Sequence, residues 1–274
     1  MCIRDRSYIN AVDAETGADD VSGAFQAEYE NQTMQGAMLA SNDNLYALQG
    51  RSAPVVYSRE TGERRGTVAG EGGVFALITR DDHLIAGTDS QKTDRFEEKG
   101  IKGRDQLASY AGANRIVVSG GVAYLQSNDE LGAFNREEFL ALQAEIIKRN
   151  EEKAKAESDL KKVKEEFEKT KDEALRKQRS ELSKKVKTLQ DEVDGFTNQL
   201  ADCFPWKVSC DARHALILAG DTLFAGATDK VTAYDSATGE VVWETAVDGA
   251  AHGLAVANGR LFISTDKGLI YAFE

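Results

Sequence analysis

Residues 233–243 read Ala233-Tyr234-Asp235-Ser236-Ala237-Thr238-Gly239-Glu240-Val241-Val242-Trp243. An apolar strand runs into an aspartate whose carboxylate can close a turn onto its own backbone, and Gly239 supplies a permissive φ. The next strand carries a tryptophan large enough to fill the space between two sheets. Ala11-Val12-Asp13-Ala14-Glu15-Thr16-Gly17 repeats the first half of the pattern, and Tyr57-Ser58-Arg59-Glu60-Thr61-Gly62-Glu63 repeats it more loosely. Where the tryptophan falls, these earlier copies have Val21 and Gly66.

Outward from this stretch the chain is periodic. Five apolar couples each open a strand after a tight turn: Leu45-Tyr46, Leu84-Ile85, Ala123-Tyr124, Leu223-Phe224 and Leu261-Phe262, at intervals of 39, 39, 100 and 38 residues. The turns before them fall at 42–44, Asp81-Asp82, Ser119-Gly120-Gly121, Gly220-Asp221 and Asn258-Gly259. These residue types accept φ > 0 or bond their own backbone, as short β-hairpins demand. A hairpin followed by the strand pair of the Asp turn makes a four-stranded antiparallel meander, the blade of a β-propeller. Five such units and the outer strands of a preceding one predict an all-β propeller in the form of a partial ring of about five to six blades. Residues 89–113 show no clear motif.

The pattern Ala-x-Asp-x-x-Thr-Gly-x-x-x-Trp at 233–243 resembles the tryptophan-docking motif of the pyrroloquinoline-quinone (PQQ) type propeller repeat. The resemblance covers roughly residues 8–136 and 202–274, and it implies a structural role in blade packing for Ala233, Asp235, Thr238, Gly239, Trp243 and Trp206. That superfamily includes quinoprotein alcohol dehydrogenases and a non-catalytic outer-membrane-protein assembly lipoprotein, and its members commonly close with seven or eight blades. The enzymes would bring a calcium-bound quinone, a carboxylate base and adjacent cysteines. The lipoprotein would bring protein partners and a place in the periplasm or cell envelope.

The interval of 100 residues exceeds one repeat by 61, and the excess has its own composition. From Glu137 to Leu200 there is no proline, and no glycine before Gly195, in a segment dense in Glu, Lys, Ala, Leu and Arg. That is helix composition. Leu182, Val186, Leu189, Val193, Phe196 and Leu200 alternate steps of four and three, as do Leu160, Val163 and Phe167, which predicts a coiled-coil seam in each half. Thr170-Lys171-Asp172-Glu173 reads as a capping box near the midpoint. Before the insert, 131–135 parallels 231–235; after it, 204–208 carries Trp206 as the counterpart of Trp243. A single helix of about 60 residues would part its ends by roughly 90 Å, so the segment must fold back as two helices of about 30 residues. The expected division is a propeller of 8–136 and 202–274 with an antiparallel coiled-coil hairpin of 137–201 inserted in one blade.

The formal net charge is −12, and no basic, aromatic-interleaved stripe stands out in the β portion, which speaks against nucleic acid as a partner. No apolar run approaches the 18 to 20 residues of a membrane span. Met1-Cys2-Ile3-Arg4-Asp5-Arg6 lacks signal-peptide grammar, and residues 1–7 read as a non-native, adapter-derived tail that carries no information on compartment.

No catalytic, cofactor-binding or metal residue is assigned. None of the three cysteines adjoins another, so quinone and calcium enter only under the dehydrogenase alternative. His214 and His252 hold the same place in successive repeats, at the start of the first strand, and His83 is the third histidine. Cys203 and Cys210 flank the strand with Trp206; a disulfide requires a bend, which Pro205 could supply, and two small buried residues are the other reading. Two function classes stand: a non-catalytic envelope propeller that binds or scaffolds proteins, and a fragment of a quinone-dependent alcohol or sugar dehydrogenase. No small-molecule ligand is named by these residues.

Overall fold

The computed structural model describes residues 7–18, 27–29, 34, 38–50, 52–68, 75–81, 83–87, 95–100, 106–127 and 129–274. The tail expected over 1–7 lies outside these residues except for Ser7, as do Val21 and Asp82. Two compact units divide the chain, Met1–Arg115 and Ile116–Glu274.

In the first unit, β1 (Ser7–Ile9) pairs antiparallel with β2 (Ala27–Tyr29). Then come two four-stranded meanders: β3 (Leu39–Ala40), β4 (Asn44–Gln49), β5 (Ser52–Ser58) and β6 (Arg64–Thr67), followed by β7 (Phe75–Ile78), β8 (His83–Gly87), β9 (Arg95–Gly100) and β10 (Gln106–Ala111). The two meanders share a core of Tyr46, Val68, Leu84 and Ala86, against which Leu39, Val56, Ala76 and Ile78 pack. β9 and β10 fall where the sequence shows no motif. A buried carboxylate explains why: Glu98 points into the packed face, where His83 Nδ1 lies 2.7 Å from Oε1 and the Tyr110 hydroxyl donates to Oε2 at 2.5 Å. Its hydrogen bonds let a charged residue occupy a core position that binary patterning reserves for an apolar one.

The second unit opens with β11 (Ala113–Ser119), β12 (Val122–Ser127), β13 (Glu130–Asn135) and β14 (Trp206–Ser209), again a four-stranded meander. Between β13 and β14 stand α1 (Arg136–Thr170), α2 (Glu173–Gln199) and a 3-10 turn, Leu200–Cys203. Next are β15 (Ala215–Ala219), β16 (Thr222–Gly226), β17 (Thr228–Asp235), β18 (Val241–Ala257), β19 (Arg260–Thr265) and β20 (Ile270–Phe273), hydrogen-bonded in sequence order as one sheet of six. β18 serves two blades, pairing with β17 through Ala250 and with β19 from Ala251 onward. It turns at Gly249, where φ is +99° and an added Cβ would lie 2.4 Å from the Asp266 carboxylate. Asp229 and Asp266 pin the bend by accepting from the backbone N–H groups of Gly249 (2.9 Å) and Ala250 (2.8 Å).

All five hairpins fall at the predicted couples. The fold is a β-propeller of four-stranded blades with a helical hairpin inserted in one of them.

The helix joint differs from its expected form. Thr170 ends α1, its hydroxyl donating to Glu166 O, and does not cap α2. Lys171 takes the left-handed conformation (φ 56°), and Asp172 caps α2 by accepting from Ala174 N at 2.8 Å. A two-residue reversal leaves no room for Thr170 as the first cap, because the last carbonyls of α1 must first be closed by Lys171 N–H on Phe167 O (2.8 Å). Along the facing sides, Phe139, Ala156 and Val163 of α1 and Leu189 and Val193 of α2 are buried. The expected α1 stripe starts at Leu160. Its earlier half, Phe139, Leu142 and Ile146, continues in the same steps through Arg149 and Lys153, which interrupt the apolar pattern. Those two cations are matched across the pair, Arg149 Nε to Glu192 Oε2 and Lys153 Nζ to Gln190 Oε1, both at 2.6 Å. Among the described residues no helix is long and apolar enough to cross a membrane.

Candidate functional site

The Asp turn is built the same way wherever it occurs. In 235–239, Asp235 Oδ1 accepts from Ala237 N (2.9 Å), Thr238 N (2.9 Å) and Thr238 Oγ1 (3.1 Å), and Gly239 N closes on Asp235 O (2.8 Å). Asp13 repeats this set with Glu15, Thr16 and Gly17. Ser58 gives a reduced version, one side-chain bond from Thr61 N (3.2 Å) and a closure by Gly62 N (2.9 Å). The three glycines have φ of +69°, +73° and +75°. Bonds from the threonine backbone and hydroxyl hold the Asp13 and Asp235 carboxyls below the usual carboxylate range.

In the blade with the insert, Asn135 takes the aspartate's place. Its Oδ1 accepts from Glu138 N at 3.3 Å, the i to i+3 bond of the turn, which here is also the N-cap of α1. The bond before it matches too: Arg136 N donates to Gly121 O (2.9 Å), as Ser236 N donates to Asp221 O (2.9 Å). A helix thus grows from the first turn of the motif, on the side of the sheet where the β11–β12 hairpin turn lies. Phe134, Phe139 and Phe204 root it, with ring centroids 5.0 to 6.4 Å apart.

The tryptophan connects one blade to the next. Ala133 faces Trp206 across β13–β14, as Ala233 faces Trp243 across β17–β18. Trp206 is 9% exposed, and its indole N–H donates to Ser236 O at 3.1 Å. Its ring fills the hollow over Gly239, where an added Cβ would lie 2.5 Å from Cε3. Below it the blades share Tyr124, Leu131, Cys210, Leu223, Ala225 and Tyr234.

Trp243 has a different setting. It is half-buried, edge-on to Phe273 (5.3 Å), and borders a cavity of about 340 Å³ with Phe224, Val242, Leu261 and Phe273. Exposed apolar side chains are concentrated in the same stretch of chain: of nine large ones among the described residues, six fall between Val241 and Ile270. Val242 and Val256 line the cavity, while the alternation of β19 and β20 puts Phe262 and Ile270, the latter 77% exposed, on the opposite face from Leu261 and Phe273. The sequence motif marked Trp243 as packing and gave no sign of this opening.

The bridge weighed for Cys203 and Cys210 does not form; both are free and buried. Pro205 introduces no sufficient bend, because β14 runs extended between them over roughly 10 Å, beyond the Cα separation a disulfide spans. Burial, then the nearby Glu138 and Asp202 carboxylates, push the Cys203 thiol up. Cys210 lies against Tyr234, whose hydroxyl is pushed up by burial. The His214 and His252 rings are tilted at 53° to each other with centroids 4.6 Å apart, and His214 Nε2 is 3.1 Å from Thr228 Oγ1. Among the described residues no group of three or more His, Cys, Asp or Glu is arranged to hold a metal ion.

Residues 191–274 match the family described as Outer membrane protein assembly factor BamB. No curated protein matches the sequence. Among solved structures, BamB from Moraxella catarrhalis aligns with a TM-score of 0.51 at 12% identity, over 97% of this chain and 78% of that one. Sqt1 from Saccharomyces cerevisiae gives 0.57 at 11%, over 98% of this chain and 66% of Sqt1. The computationally designed Ika8 protein gives 0.51 at 10%, over 86% of this chain; the chain spans 57% of Ika8, less than two thirds. At such identities the likeness establishes fold alone. Repeat pattern, blade construction and these matches together support a β-propeller whose residues 191–274 are similar to the PQQ-like repeats of the assembly-factor family.

Proposed function

We propose that this protein is a non-catalytic propeller scaffold that binds other proteins in the bacterial cell envelope, with the coiled-coil hairpin as an added contact arm. The observation that carries this reading is the run of exposed apolar side chains on both faces of β18–β20, Val242 and Val256 at the Trp243 cavity and Phe262 and Ile270 on the opposite face. Clustered apolar surface of this kind belongs to protein contacts. The match of residues 191–274 to the assembly-factor family supports the periplasmic or envelope setting. The helices support the arm: beyond their root, their sustained contacts are with each other.

The test is site-specific photocrosslinking in cells. A benzophenone side chain at Ile270 should give a discrete protein adduct, and Phe262→Asp should suppress it. Absence of any adduct at 270, or an adduct indifferent to Phe262→Asp, would remove the scaffold reading.

A further inference from the structure

Charge is unevenly spread along the hairpin. From Lys161 to Lys187, eleven Lys and Arg stand against six Asp and Glu; the rest of the chain has 23 against 40. These residues are the distal parts of α1 and α2 and the joint between them. Lys161, Lys164, Lys177, Lys184, Lys185 and Lys187 are all exposed, and none has a carboxylate at ion-pair distance.

We infer that this distal half of the arm is an electrostatic contact for an anionic phospholipid surface. Two observations favour headgroups over an acidic protein, and a third keeps the attraction from being cancelled. Nine of the eleven cations are lysines, compact point charges suited to a diffuse anionic layer, whereas protein interfaces favour Arg and are depleted in Lys. No large apolar side chain is exposed along either helix, so there is no anchor for a desolvated protein interface. The strands that root the helices are also held off. At 1.5 Å per residue the basic segment begins roughly 35 Å from the root of α1, several Debye lengths at physiological salt, so the carboxylates at the root do not cancel the attraction.

This rests on the reading of the hairpin as a contact arm, and its failure would leave the crosslinking result at Ile270 untouched. The experiment is flotation of the full chain with vesicles of phosphatidylglycerol and phosphatidylcholine, against phosphatidylcholine alone. Binding should require the anionic lipid and disappear at about 0.5 M salt. Each cation near such a surface contributes roughly fivefold to partitioning. Converting Lys177, Lys184, Lys185 and Lys187 to Gln should therefore lower binding at least about a hundredfold while helicity is kept. Lys148→Gln with Lys155→Gln, nearer the root, should change it less than about tenfold. Equal binding to neutral vesicles, no binding, or indifference to the four distal substitutions would overturn the inference. So would binding to immobilised poly-glutamate that persists at about 0.5 M salt, where vesicle binding is lost, which would assign the arm to an acidic polypeptide.

Discussion

The Ser236 carbonyl, the hollow over Gly239 and the core beneath hold Trp206 in place, and substitutions at the ring and at the glycine test this. Trp206→Ala empties a buried site between two blades and should cost about 3–5 kcal/mol in a denaturant melt. Trp243→Ala should cost clearly less, because that ring is half-buried and already borders open space. Gly239→Ala and Gly17→Ala meet the same backbone penalty, since both positions have φ near +70°. Only Gly239 has a ring within reach of a new Cβ, so its variant should lose about 1–3 kcal/mol more. Equal losses would mean that the tryptophan does not press on the turn. The Asp235 carboxyl gives a pH signature with a definite sign. Its folded pKa is lowered by the Thr238 and Ala237 bonds, so its contribution is complete above about pH 4 and is lost as pH falls through the lower folded value. A carboxyl NMR titration should place the Asp235 midpoint below that of a free aspartate.

At the level of the element, the hairpin is a helix pair grafted onto a turn. Asn135 performs in this blade the work of Asp235, so Asn135→Ala should cost about 1 kcal/mol, typical of a lost N-cap. Leu189 is buried in the helix seam, and Leu189→Ala should cost about 2–5 kcal/mol of hairpin stability. Circular dichroism should show that loss as an earlier helical transition with the β signal unchanged. The seam from Leu160 onward was readable because its apolar steps are unbroken. The earlier half of α1 was not, because Arg149 and Lys153 occupy seam positions there, and the partners that meet them across the seam, Glu192 and Gln190, lie 43 and 37 residues along the chain. The capping box failed for a related reason: sequence cannot say which of two adjacent caps, Thr170 or Asp172, the preceding helix will leave available.

For the whole molecule, the period was legible because hairpin turns and apolar couples survive in every blade. The second blade's outer strands were hidden by Glu98, whose burial depends on His83 and Tyr110 from other strands. The docking of Trp206 followed from its likeness to Trp243, while the cavity at Trp243 emerges only when neighbouring strands are placed. Addition of pyrroloquinoline quinone and calcium should leave the melting temperature unchanged, since binding to the native state must raise it by mass action; a saturable rise would favour the dehydrogenase alternative. The central claim is that one blade runs through the insertion and docks on its neighbour. Its most direct test replaces residues 136–202 with Ser-Ala-Thr-Gly in a Trp243→Phe background, leaving Trp206 as the sole tryptophan. The expected result is loss of the helical signal, a single cooperative melt, and Trp206 emission at the blue-shifted wavelength of the Trp243→Phe parent. Emission shifted to that of exposed tryptophan, together with a non-cooperative melt, would contradict it.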